Sequence, residues 1–366
     1  GFDAYNGGTA ASPGNFGDPD LGWEQSFTYG AGIEFGLFNS RITGVVDYYK
    51  KSTKDLLLSV PISTIQGGGA IFRNIGEIEN SGWEFELRGD IIRKQNLRWN
   101  AGVTFSTYDS KVIKLANEDD LQVNYANYTT LRVGEEVHSF YIPRYVGVNP
   151  ANGQALFLDA NDNVTTSNSD NSLLKGKTPF AQFDGGFNTS LSYKGLDITA
   201  DFYFKGGNYI MNLVESQHLS DGTSANNNQR LDAFNYWKNP GDTNVLPNPV
   251  LNGYNGTTNA NNRNTSSSSS TRYLQRGDYL RLRNLQIGYS LPSEYLEKVP
   301  FTQIRMFLSG TNLWTYIPYY KGDPEVGIGS AESNPGSSTR TQIPGEYSLN
   351  SYPTLSTVSF GMDIKF

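Results

Sequence analysis

Two histidines, a pair of glutamates two positions apart and one spaced run of aspartates and asparagines are the residues whose types invite a chemical reading. His138 and His218 stand outside any nucleophile motif and read as solvent-exposed loop residues, so no serine–histidine chemistry is implied. Glu84 and Glu86 share one face of an alternating segment, as acid–base pairs can. Arg88 and Arg98 fall in the same pattern, and charge balance is the simpler account. Asp159, Asn161, Asn163 and Asp170 keep four positions of a calcium loop. Val164 stands where the sharp turn needs glycine and Asp170 where a bidentate glutamate belongs, so no structural calcium is expected. No phosphate loop or nucleotide fingerprint occurs, and the absence of cysteine removes thiolate and disulfide chemistry. The chain reads as no enzyme, with no metal and no cofactor. A net charge of -7 argues against nucleic acid. Recognition remains, and Tyr236, Trp237, Tyr319 and Tyr320, set among amides and carboxylates, are the candidate binding residues.

The elements that must position these residues are strands. Trp83, Phe85, Leu87, Gly89 and Ile91 alternate with Glu84, Glu86, Arg88 and Asp90, and the same period of two runs from Leu97 to Phe105. Runs of this length suit a strand crossing a bilayer at a tilt, which takes about 9–11 residues. A membrane barrel also accounts for a chain that is only 37% hydrophobic yet 13% aromatic, because each strand is half polar. Nine strands are expected: Ser26–Phe38, Arg41–Leu58, Gly82–Ile92, Leu97–Val112, Phe183–Tyr193, Leu196–Lys205, Tyr279–Leu291, Gln303–Thr315 and Leu355–Phe366. In the seventh, the apolar phase changes between Leu282 and Leu285, which calls for a bulge near Arg283–Asn284.

Short connections (Asn39–Ser40, Arg93–Asn96, Lys194–Gly195, Pro292–Thr302) alternate with long ones (Ser59–Ser81, Ile113–Gln182, Gly206–Asp278, Tyr316–Thr354). Outer-membrane barrels pair short periplasmic turns with long extracellular loops, so the C-terminus is expected in the periplasm. The long connections, above all Asn259–Thr271, read as flexible and solvated. An odd strand count puts the N-terminus outside the cell, which implies missing upstream strands. The isolated sheet is therefore expected to stay open, its last strand unpaired with its first. Trp83, Phe85, Trp99, Val103, Phe360 and Ile364 should face lipid, and Arg281 and Arg283 a wet lumen.

The final strand places Val358, Phe360, Met362, Ile364 and Phe366 on one face. A terminal aromatic with this spacing resembles the signal read by the barrel-assembly machinery. Several stretches together resemble the SusC/RagA-type TonB-dependent transporters of Bacteroidetes: Asp18–Glu24, Gly36–Gly44, Asp47–Lys51, Asp55–Leu58, Asn74–Gly82, Gly134–Val148, Gly277–Pro292, Ser309–Leu313 and Gly322–Val326. In Asn80–Gly82 the glycine is expected to allow a tight strand entry.

That resemblance implies that residues 1–366 are the C-terminal portion of an all-β, antiparallel transmembrane barrel of 22 strands. A plug and TonB box would lie upstream, and a SusD-like surface lipoprotein would close over the mouth. It implies TonB-dependent import of a nutrient, glycan or peptide, across the outer membrane. Substrate and partner contacts are expected in the connections Gly206–Asp278 and Tyr316–Thr354. Two other readings stand beside it, a plugless barrel acting as passive channel or adhesin, and a soluble all-β binding protein.

Overall fold

The computed structural model describes residues 2–5, 8–11, 18–61, 70–115, 128–221, 228–249, 270–297, 299–325, 346–347 and 353–366. The Ser-rich stretch Asn259–Ser269 and residue Val326 lie outside them.

Nine strands form one curved antiparallel path in chain order: β1 Gln25–Leu37, β2 Ile42–Pro61, β3 Ala70–Arg93, β4 Leu97–Thr107, β5 Phe183–Tyr193, β6 Leu196–Gly206, β7 Tyr279–Ser290, β8 Gln303–Tyr316 and β9 Thr357–Lys365. Each strand pairs with its sequence neighbour, and β1 and β9 are the two edges. No ladder joins them among the described residues. At Lys194–Gly195 both turn residues take positive φ, 46° and 89°, the two-residue hairpin geometry that matches strand twist. The phase change in β7 is a bulge, because the register with β8 jumps between Leu282 and Asn284. Arg283 is also the unpaired residue against β6, where the register shifts between Asp201 and Phe202.

Alternation puts the large apolar side chains on one face, where they stay exposed. Phe85, Trp99, Val103, Phe360 and Ile364 are all solvent-accessible there, which in water is an unstable arrangement. Across β2 to β5 the rings of Tyr48, Trp83, Phe85, Phe105 and Phe183 follow one another at 4.9–6.3 Å, a continuous aromatic belt. The other face carries paired charges, with Arg88 2.5 Å from Glu86 and Arg305 2.6 Å from Asp197. That division is the one a bilayer imposes.

Three expectations are corrected. The connection Ser59–Ser81 is largely strand, since β2 has 20 residues and β3 has 24. At about 3.3 Å per residue these strands run far past a hydrocarbon band about 25 Å tall, so the hairpin projects beyond the bilayer. The fourth strand stops at Thr107, and Asp109–Lys114 is a separate strand that pairs with β3 instead. Gly82 does not open a strand. It lies within β3, where an added Cβ would meet the Thr107 carbonyl oxygen at 2.1 Å, so close approach is what demands glycine.

The described long connections are not uniformly flexible either. The segments after β4 and β6 build the hydrophobic core of the molecule: Phe140, Ile142, Leu174, Met211, Leu219 and Tyr273. A second cluster joins Val112, Leu115, Leu131 and Val137. Small three-stranded sheets and one short helix, α1 Leu213–His218, complete this loop-end platform.

Candidate functional site

The loop end of the sheet is where the folded connections meet, and an ion-pair network sets its geometry. β7 places Tyr279 and Arg281 on the polar face, and the bulge brings Arg283 beside them. The segment after β8 folds back over these cations. Arg281 contacts Asp323 at 2.6 Å and Glu325 at 2.5 Å, Arg283 also binds Glu325, and the Tyr279 hydroxyl donates to Glu325 at 2.5 Å. Arg281 is only 3% exposed, so the wet lumen expected around it is a closed salt bridge instead. Two carboxylates answering two guanidiniums offset a desolvation penalty of several kcal/mol per ion.

Asp323 does more than pair. Its carboxylate accepts from the backbone N–H groups of Glu325 (3.1 Å) and Thr354 (2.6 Å), fixing both ends of the connection. Burial alone would raise its pKa, but these N–H donors and Arg281 hold it below the usual carboxylate value. The sequence signal was present, since Gly322–Val326 carries Asp and Glu to match Arg281 and Arg283. Its role as a clasp was not read.

On the platform, Arg272 and Asp221 form a buried pair, with the guanidinium 4.9 Å over the Tyr273 ring. The Tyr273 hydroxyl donates to the Leu219 carbonyl at 2.8 Å. Asn212 caps α1 by accepting from the Glu215 N–H at 2.9 Å. Lys321 lies 3.7 Å from Glu215 and from Asp232, which ties the connection after β8 to the one after β6.

The four candidate aromatics divide. Tyr319 is 54% exposed and lies under Arg276, whose guanidinium carbon is 4.5 Å from the ring centroid. Tyr236 lines a cavity of about 290 Å³ with Phe234, Leu246, Pro247, Arg230 and Asp221. Trp237 is a packing residue: its indole N–H donates to the Pro150 carbonyl at 3.0 Å, and its ring presses on Gly153. Tyr320 is 4% exposed and packs on Gly322, so it offers no face to a ligand. Leu231 and Phe234, on a short 3-10 turn, are exposed apolar residues that sequence reasoning passed over.

The chemistry-bearing residues are structural. His138 is half-buried rather than fully exposed: its ring lies 5.8 Å from Phe180, and burial lowers its pKa. The Asp159 carboxylate accepts from the Asn161 and Asn163 backbone N–H groups, both at 2.8 Å, and so closes a hairpin turn. Motifs far apart in the chain also converge here. Asp18 lies 3.2 Å from Arg73, and Gly22 exchanges hydrogen bonds with Asn74 at 2.6 and 3.0 Å. Glu24 accepts from the Leu57 N–H at 2.8 Å. The segment Asp18–Glu24 is thus a strap along the projecting hairpin.

Known proteins resemble this chain. Residues 1–153 match the family described as TonB dependent receptor-like, beta-barrel. The chain is thus similar to the barrels of TonB-dependent receptors. It is 32% identical to TonB-dependent receptor P3 of Formosa agariphila, over 96% of this chain and 35% of that protein. It is 26% identical to TonB-dependent receptor SusC of Bacteroides thetaiotaomicron, over 95% of this chain and 32% of SusC. A solved structure of the RagAB peptide transporter superposes with a TM-score of 0.77 at 26% identity, covering all of this chain and 38% of that one. Among such receptors, the likeness extends to SusC and to the RagAB transporter. The chain spans about a third of the length of these relatives. They are receptors and transporters, in keeping with the non-enzymatic reading.

Proposed function

We propose that this chain forms part of the wall and mouth of a TonB-dependent importer that carries a nutrient oligomer, glycan or peptide, across the outer membrane. The observation that carries the reading is the contrast between a wall with an exposed apolar face and a loop end with its own buried core. A passive pore needs the first of these only. Binding at the mouth needs loops held in one geometry, which the Arg281–Asp323–Glu325 clasp and the Arg272–Asp221 pair supply. The likeness to SusC and to a peptide transporter supports the same reading.

The loop end is extracellular and the C-terminus periplasmic. A SusD-like lipoprotein covers the mouth, and TonB acts through a plug domain. Tyr319, Tyr236 and the exposed pair Leu231 and Phe234 form the face met by substrate or lid, whereas Trp237 and Tyr320 support it from beneath. The barrel-assembly machinery reads Val358, Phe360, Met362, Ile364 and Phe366 on the last strand.

The test is uptake of labelled glycan and peptide oligomers by cells bearing the full-length receptor, with and without TonB. Uptake should require TonB and should fall with Tyr319→Ala at unchanged surface abundance. Uptake that persists without TonB identifies a passive channel instead. Membrane extraction without detergent should leave the protein behind, and its release would support a soluble binding protein.

A further inference from the structure

The apolar face of the sheet is not smooth. Near the short turn between β1 and β2 it holds a groove of about 610 Å³, walled by Phe38, Ile42, Leu87, Val103 and Phe187. Its floor is thin because β3 and β4 place Gly89 opposite Ala101 there. The β3 register then jumps between Asp90 and Ile92, which leaves Ile91 outside the ladder at the lower edge.

At that edge Arg41 is held in place, and Arg88 and Asp90 also line the groove. Arg41 is exposed, and its guanidinium donates through Nε to the Asp90 carbonyl at 2.8 Å and through Nη2 to the Ile91 carbonyl at 2.7 Å. These bonds use two of its five N–H donors and hold the plane in place. The turn that delivers it is unusual. Phe38, Asn39 and Ser40 take φ of 54°, 57° and 59°, three left-handed residues in succession. A phenylalanine pays for that conformation and persists in it only where its surroundings insist. The result sets an exposed aromatic ring and a pinned guanidinium on one turn, beside an apolar groove.

We infer that this groove binds a single glycerophospholipid with an anionic headgroup, its acyl chain along the groove and its phosphate at Arg41. The occupant follows from where selectivity can arise. An acyl chain leaving bilayer hydrocarbon gains no hydrophobic free energy by entering a protein groove, since lipid tails are as apolar as the lining. Shape retains the chain, and only the headgroup can discriminate. A guanidinium matches a phosphate with parallel N–H donors. One basic residue near a charged bilayer surface favours an anionic lipid by about fivefold. The inference rests on the membrane reading of the apolar face and on the short turns lying at the periplasmic surface, where aromatic residues sit at headgroup level. It does not depend on what the receptor imports.

Full-length receptor, purified in detergent and stripped of lipid, is titrated with phosphatidylglycerol, phosphatidylethanolamine, inorganic phosphate or lipid A and read by native mass spectrometry. Wild type should retain phosphatidylglycerol over phosphatidylethanolamine by about fivefold at this site. Arg41→Gln should erase that preference. Gly89→Leu should remove one bound lipid with Arg41 intact, because a Cβ at Gly89 finds its nearest neighbour at 3.8 Å and the larger side chain fills the groove without strain. Heat-modifiable migration checks that each variant is folded, and Ala101→Leu replaces Gly89→Leu if it is not. Wild-type lipid counts and preference in both groove-filling and Arg41 variants would overturn the proposal. So would displacement of the lipid by inorganic phosphate alone, or selective retention of lipid A. Uptake plays no part in this readout, so the two proposals fail separately.

Discussion

The wall and the loop platform solve the same problem, a chain rich in both polar and apolar residues, in opposite ways. In the wall, Phe85 and Phe360 remain exposed at 40% and 69%, and stability comes from ladders between sequence neighbours while a bilayer supplies the apolar environment. In the platform, Phe140, Ile142 and Met211 are sealed from any solvent, as in a water-soluble domain. The difference shows that a single chain can be a membrane protein along one axis and a globular one at its end. The two parts should therefore respond differently to the same kind of substitution.

The largest expected effect separates them on the platform side. Phe140→Ala should cost the platform about 3–5 kcal/mol. It should appear as faster hydrogen exchange over Thr129–Leu174 with β4 to β9 protection unchanged. Uniform loss of protection across the wall would break the comparison. In the wall, Phe85→Arg should cost about 2–4 kcal/mol in a refolding titration into bilayers if the site lies near the midplane. Asn188→Arg, on the opposite and exposed face of β5, should cost far less. Equal costs would mean that the faces are assigned wrongly.

Smaller effects sharpen the contrast. Asn212→Ala removes the α1 cap and should weaken the platform by about 1 kcal/mol, read by local exchange at Leu213–Leu219. His138 gives a pH signature. Burial lowers its folded pKa below the ordinary 6.5, so the unfolded platform binds the proton more readily. Platform stability should be full above pH 6.5 and fall as pH drops through and below it. His138→Gln should flatten that dependence and leave the wall unaffected.

The wall was legible in the sequence because its signal is local. A period of two is visible within ten residues, and the phase slip in β7 marks its bulge as plainly as the structure does. The platform was not legible. Its core joins Phe140 to Met211 and Tyr273, positions with no shared period, contributed by segments rich in loop-forming residues. Of the site residues, Tyr319 kept an exposed face, whereas Trp237 and Tyr320 proved to be packing. An aromatic flanked by amides looks alike in both roles until its neighbours are known. The projecting hairpin was missed for a different reason: beyond the bilayer neither face needs to be apolar, so alternation fades although the ladder continues.

The strand order has a consequence in time. Every ladder in the wall joins neighbours in the chain, but only some close across short turns, while β4–β5, β6–β7 and β8–β9 close across the long connections. The platform is stitched within and between those same long connections: the Tyr145 N–H donates to Thr271, 126 positions away, and Arg272 reaches Asp221 across 51. Closing such loops costs more chain entropy and slows folding. Because Thr271 and Arg272 lead directly into β7, these stitches and the docking of β7 against β6 close the same stretch of chain. The mouth and the second half of the wall are thus closed by the same loops, and neither is complete without the other.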